Sequence, residues 1–108
     1  MSGECTSDRA LLKMAALATG ADFGYRDGTI MVRCRRRPGK WEEWNPLKKD
    51  GDALRLAADL KINIQYDDLS PSVSACNYSA TWINEPIVDD PHAATRRAIV
   101  LAAARYIA

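Results

Sequence analysis

The chain has 108 residues, 47% of them hydrophobic and 27% charged, with a mean hydropathy of −0.29. That is one ordinary domain; it excludes two full cores, a disordered chain and a membrane-spanning one. The net charge of +1 is unevenly spread, since residues 31–50 hold seven Lys/Arg against three Asp/Glu and residues 51–90 hold two against seven. Such a dipole favours oriented encounter with a charged partner or with a second copy of the chain.

Residues 1–6 read as a frayed lead-in and lack the basic-then-apolar pattern of a signal peptide. Ser7 is the cap candidate for a helix from Asp8 to about Thr19, which Gly20 ends. Leu11, Met14, Ala15 and Ala18 form its buried stripe, and Arg9 and Lys13 face away. Asp22–Arg26 and Thr29–Arg35 predict two strands joined by Asp27-Gly28, a dipeptide suited to the positive φ angles of a type I′ turn. In the second strand Ile30, Val32 and Cys34 share one face, and Met31, Arg33 and Arg35 the other. Arg36 to Lys40 is a polar loop with a Pro-Gly turn, and Pro46 bars a helix at Asn45.

Asp50 or Asp52 caps a second helix to about Leu60, with Leu54, Ala57 and Ala58 as its buried face. Lys61–Tyr66 predicts a strand with Ile62 and Ile64 on one side, and Asp67–Pro71 carries turn chemistry. Ser72–Tyr78 and Ala80–Asn84 make a second hairpin, ended by Glu85-Pro86. Asp89-Asp90-Pro91 then opens a final, unbroken helix whose core stripe is Thr95, Ile99, Ala102, Ala103 and Tyr106. Arg96 and Arg97 stand off that stripe, with Glu85 or Asp59 as surface partners.

The predicted order is α-β-β-α-β-β-β-α in a single domain, residues 1–108. Most connections between strands are too short for a parallel crossover, so the α+β fold has one small, mostly antiparallel sheet of four to five strands. Helices on both faces of that sheet, or all on one, satisfy the three apolar stripes.

Two blocks carry a family resemblance. The first is Trp44-Asn45-Pro46-Leu47 followed by Asp50-Gly51-Asp52-Ala53-Leu54-Arg55-Leu56-Ala57. The second is Asp89-Asp90-Pro91 followed by Ala93-Ala94-Thr95-Arg96-Arg97-Ala98-Ile99-Val100. Together they resemble the phage ABA-sandwich domain family of short phage and prophage proteins. The resemblance covers roughly residues 41–108. It implies an α/β/α sandwich and a phage or prophage setting in the bacterial cytoplasm, and it carries no catalytic residues across.

Cys5, Cys34 and Cys76 are odd in number and widely spaced, which argues for reduced thiols rather than a disulfide or zinc framework. His92 stands alone with Asp89 and Asp90, too few groups for a metal site or a general base with its nucleophile. Asp67, Asp68, Asp89 and Asp90 would approach a cation site only if their loops meet; as caps and turn residues they need no ion. No P-loop, GxGxxG, HExxH or GxSxG pattern occurs. No cofactor is implied, and a non-enzymatic protein that binds a protein partner, or itself as a homo-oligomer, is the leading expectation.

Two alternatives stand beside it. Arg33, Arg35, Arg36, Arg37 and Lys40 with Trp41 and Trp44 have the residue types for phosphate neutralisation and base stacking. Against this, Glu42 and Glu43 lie between the tryptophans, and the pI of 7.7 is below the usual basic footprint. A buried tryptophan pair beside a strand edge blunted by arginines is the plainer explanation. The other alternative is a small-ligand pocket, for instance for a nucleotide, lined by Tyr78, Trp82 and Tyr106.

Overall fold

The computed structural model describes residues 7–33, 39–77 and 82–106. Within them the elements run α1 (Asp8–Thr19), β1 (Phe23–Arg26), β2 (Thr29–Arg33), β3 (Trp41–Glu43), α2 (Asp50–Leu60), β4 (Asn63–Asp67), β5 (Ser72–Cys76), β6 (Trp82–Pro86) and α3 (Pro91–Ala104). Expectations for Cys5, Cys34, Arg35, Arg36, Arg37 and Tyr78 lie outside the described residues.

Local signals set α1 and the first hairpin as expected. The Ser7 hydroxyl accepts the Ala10 N–H at 3.1 Å, and Gly20 closes the helix at φ 74°. Leu11, Leu12, Ala15 and Ala16 are buried, while Met14 and Ala18 are half-buried. The buried face thus includes Leu12 and Ala16, because α1 lies against α3 and also borders a groove with Ile30 and Trp44. Asp27 at φ 51° and Gly28 at φ 81° turn β1 back on β2, with Arg26 opposite Thr29. Phe23, Tyr25, Ile30 and Val32 share the inner face, and Ile30 is 4% exposed.

The single sheet is corrected to two. Trp41–Glu43 forms a third strand antiparallel to β2, giving sheet β1-β2-β3, while β4, β5 and β6 form a separate antiparallel sheet in that order. A three-residue Trp-Glu-Glu strand carries too little alternation to be read in advance. The α/β/α sandwich is corrected as well. The outer face of β4–β6 presents Asn63, Gln65, Asp67, Ser74 and Asn84, and among the described residues no helix packs on it. Asn84 spans that face by donating to the hydroxyls of Ser72 and Ser74.

Helix α2 is rotated from its expected setting. Ala53, Leu56, Ala57 and Leu60 are buried, whereas Leu54 is 69% exposed and Ala58 is exposed. Both stripes satisfy i, i+3, i+4 spacing, but the observed one also buries Leu56 and Leu60. Its cap position is Lys49, without a side-chain cap, and Asp52 turns inward. Lys61 ends α2 in the left-handed region at φ 57°, so β4 begins only at Asn63. The expected strand start at Lys61 is thus corrected: Ile62 lies before the strand, bonds back to Ala57 and is buried, while Ile64 within it is 37% exposed.

Helix α3 is the centre of the molecule, packed against α1, α2, β5 and β6. Asp90 caps it by accepting the His92 N–H at 2.9 Å, with Pro91 in the first turn. Because it is covered on several sides, Ala94, Ala98 and Val100 are buried along with the expected Ile99, Ala102 and Ala103. Thr95 is only half-buried, and Tyr106 lies past the helix end at 39% exposure. Small side chains let α3 approach the neighbouring backbones closely, and Asn77 at the end of β5 donates to the Ala102 carbonyl at 3.0 Å.

Candidate functional site

The cation and tryptophan cluster divides in two. Along a strand, positions three apart point to opposite faces. Trp41 lies opposite Arg33 on the outer face of β1–β3, while the Trp44 N–H bonds to Ile30 and its side chain belongs to the core at 9% exposure. Trp44 therefore cannot offer a ring face to a base, and its place in the proposed interface is withdrawn. Trp41 is 41% exposed, and the Arg33 guanidinium lies 5.3 Å from its ring centroid. Arg33 also meets Asp22 at 3.4 Å, Lys40 is exposed beside the strand, and Glu43 pairs with Lys49 at 3.6 Å.

Behind the same strands, Thr19, Val32, Arg33, Glu42, Asp52, Arg55 and Asp59 line a cleft of about 280 Å³. Asp52 is buried at its edge, accepting the Asn45 N–H at 2.9 Å and an Arg55 N–H at 2.8 Å. That carboxylate holds the chain at the entry to α2.

The two resembling blocks meet in space. The Arg96 guanidinium donates to the Leu47 carbonyl at 2.9 Å and to Asp50 at 2.6 Å. Asn45 accepts the N–H groups of Leu47, Lys48 and Lys49, so the Asn-Pro-Leu turn is closed on itself and then clasped to α3. Both blocks thus have a structural task. Next to the clasp, Asp50, Ala53, Tyr66, His92, Thr95 and Arg96 line a shallow depression. Thr95 donates to the Pro91 carbonyl at 2.7 Å, which leaves the Tyr66 hydroxyl to donate to Thr95 at 2.9 Å. Arg97 meets Glu85, as expected, at 3.3 Å and also Asp8 at 3.4 Å.

Trp82 and Tyr106 are 50% and 39% exposed, and neither borders the concavities described above; Tyr78 lies outside the described residues. Among the described residues no three His, Cys, Asp or Glu groups gather as a metal site, and no helix is long and apolar enough to cross a membrane. The Cys76 thiol is buried against the Asn77 carbonyl.

The surface that sequence reasoning missed is the edge of β4, which is free among the described residues. All five residues from Asn63 to Asp67 are exposed, including Ile64 at 37% and Tyr66 at 56%. The Ile87 N–H bonds to the Pro71 carbonyl, so in the alternating antiparallel ladder Val73 and Ala75 bond to β6 while Ser72, Ser74 and Cys76 bond to β4. Their β4 partners are Asp67, Gln65 and Asn63. The backbone groups of Ile64 and Tyr66 consequently point outward. The opposite edge is blunted, because Pro86 lacks the N–H that would face outward there. No proline, lysine or bulge interrupts β4. Its alternation was legible as a strand; its place at an edge depends on strand order, which no local signal carries.

Comparison with family models, with curated proteins and with solved structures finds no match for this chain.

Proposed function

We propose that this protein is a non-enzymatic accessory protein of a phage or prophage that acts in the bacterial cytoplasm by binding another protein. The observation that carries the reading is the open β4 edge, which offers outward backbone groups beside exposed Ile64 and Tyr66. An added strand gains affinity from main-chain hydrogen bonds and specificity from alternate side chains. The resemblance of residues 41–108 to a family of small phage proteins supports the setting.

The test is affinity capture with the full chain from phage-infected bacteria, comparing wild type with Ile64→Pro. The Ile64 N–H faces away from β5, so proline there removes an outward donor and spares the ladder. A discrete protein retained by the wild type and lost with the variant, at unchanged circular dichroism, supports the reading. Recovery no different from bare resin counts against it.

The Arg33–Trp41 stack favours a second reading, single-stranded nucleic-acid binding at the outer face of β1–β3. A titration at two salt concentrations decides it: phosphate neutralisation requires affinity to fall steeply with salt. Trp41→Ala must then weaken binding, while a salt-insensitive signal rejects the reading.

A further inference from the structure

We infer that the partner taken up by the β4 edge is a second copy of this chain, with β4 pairing antiparallel to its counterpart about a two-fold axis at Gln65. The inference rests on the reading of β4 as a binding edge and names what binds there.

The backbone selects the register. Only residues with outward N–H and C=O groups can form the hydrogen-bonded pairs of a new antiparallel ladder, and in β4 these are Ile64 and Tyr66. Pairing Ile64 with the partner's Tyr66 satisfies both residues on both chains. A register centred on Ile64 would instead set Tyr66 against the partner's Ile62, whose N–H is already bonded to Ala57 within its own chain. The Gln65-centred register is the one that β4 can complete with itself, and it joins the two three-stranded sheets into one.

The side chains agree with that register. Direct partners in a ladder share a face, so Ile64 lies on the partner's Tyr66, a β-branched residue against an aromatic ring, at two symmetric places. On the outer face Asn63 comes opposite the partner's Asp67, an amide donor facing a carboxylate. Gln65 faces its own copy across the axis and is neutral. The surface is self-complementary in the sense an isologous interface requires.

Sedimentation or light scattering across a concentration series tests this with the intact chain. Wild type is expected to move from 11.9 kDa to twice that mass as concentration rises. Gln65→Lys and Gln65→Glu each set like charges face to face at the axis, at a position whose side chain is exposed, so each variant alone is expected to stay folded and monomeric. Mixing the two variants is expected to restore the dimer as a heterodimer. A wild type that remains monomeric to about 1 mM overturns the inference, as does a dimer indifferent to either charge or a mixture that fails to reassociate. A monomeric wild type whose capture of another protein is still lost with Ile64→Pro refutes self-pairing alone and leaves the wider reading in place.

Discussion

The two three-stranded sheets are held to the helical layer in opposite ways. Sheet β4–β6 lies on α3 through small side chains: Ala75, Ala98 and Ala102 are fully buried, and β5 is buried at four of its five positions. Sheet β1–β3 reaches the helical layer through larger groups, chiefly Ile30 and Trp44 with Phe23 and Val32 behind them. Backbones that approach closely leave no room to adjust, whereas contacts spanned by long side chains leave grooves, and the cleft lined by Val32, Glu42 and Arg55 lies on that side. One sheet depends on fit, the other on a few anchors.

Removing an anchor gives the largest expected effect. Trp44→Ala should cost about 3–5 kcal/mol, read as the shift of the urea midpoint. Amide exchange sharpens the contrast, since protection should fall first in β1–β3 and persist in β5. Equal loss in both sheets would show that Trp44 supports the whole core. Ala75→Leu probes the other sheet: with no space beneath it, the added volume should cost about 1–3 kcal/mol. A neutral outcome would mean that sheet β4–β6 can move away from α3 and is no tighter than β1–β3.

The same contrast explains what was legible in the sequence. Ser7, Asp27-Gly28 and Asp90-Pro91 act through their own neighbours, and each sits where its chemistry placed it. Leu54 and Leu56 could not be told apart, because two stripes of α2 satisfy one period and only tertiary packing selects between them. The split into two sheets was hidden for a related reason: β3 is defined by its partner strand rather than by its own residues. At the candidate site, Arg33 and Trp41 were found together, but the plainer expectation of a buried tryptophan pair holds for Trp44 alone; Trp41 is exposed because its face follows from the strand that was missed. The β4 edge required strand order and ladder parity, properties of the assembled sheet.

The smallest effects lie where backbone conformation alone is at stake, and they separate the turns of the two halves. At Gly28, φ is 81° and a Cβ would meet nothing within 4 Å, so Gly28→Ala tests the left-handed conformation without a clash. It should cost about 1–2 kcal/mol, while Gly28→Asn should be milder because asparagine tolerates that region. Lys61 holds φ 57° with a side chain in place, at the point where α2 gives way to β4. Lys61→Gly relieves that conformation but frees the unfolded chain, two terms of about 1 kcal/mol with opposite sign, so the net change in urea midpoint should be small. If Gly28→Ala proves as mild as Lys61→Gly, the first hairpin is adjusting its turn, and sheet β1–β3 is more compliant than its anchored contacts imply.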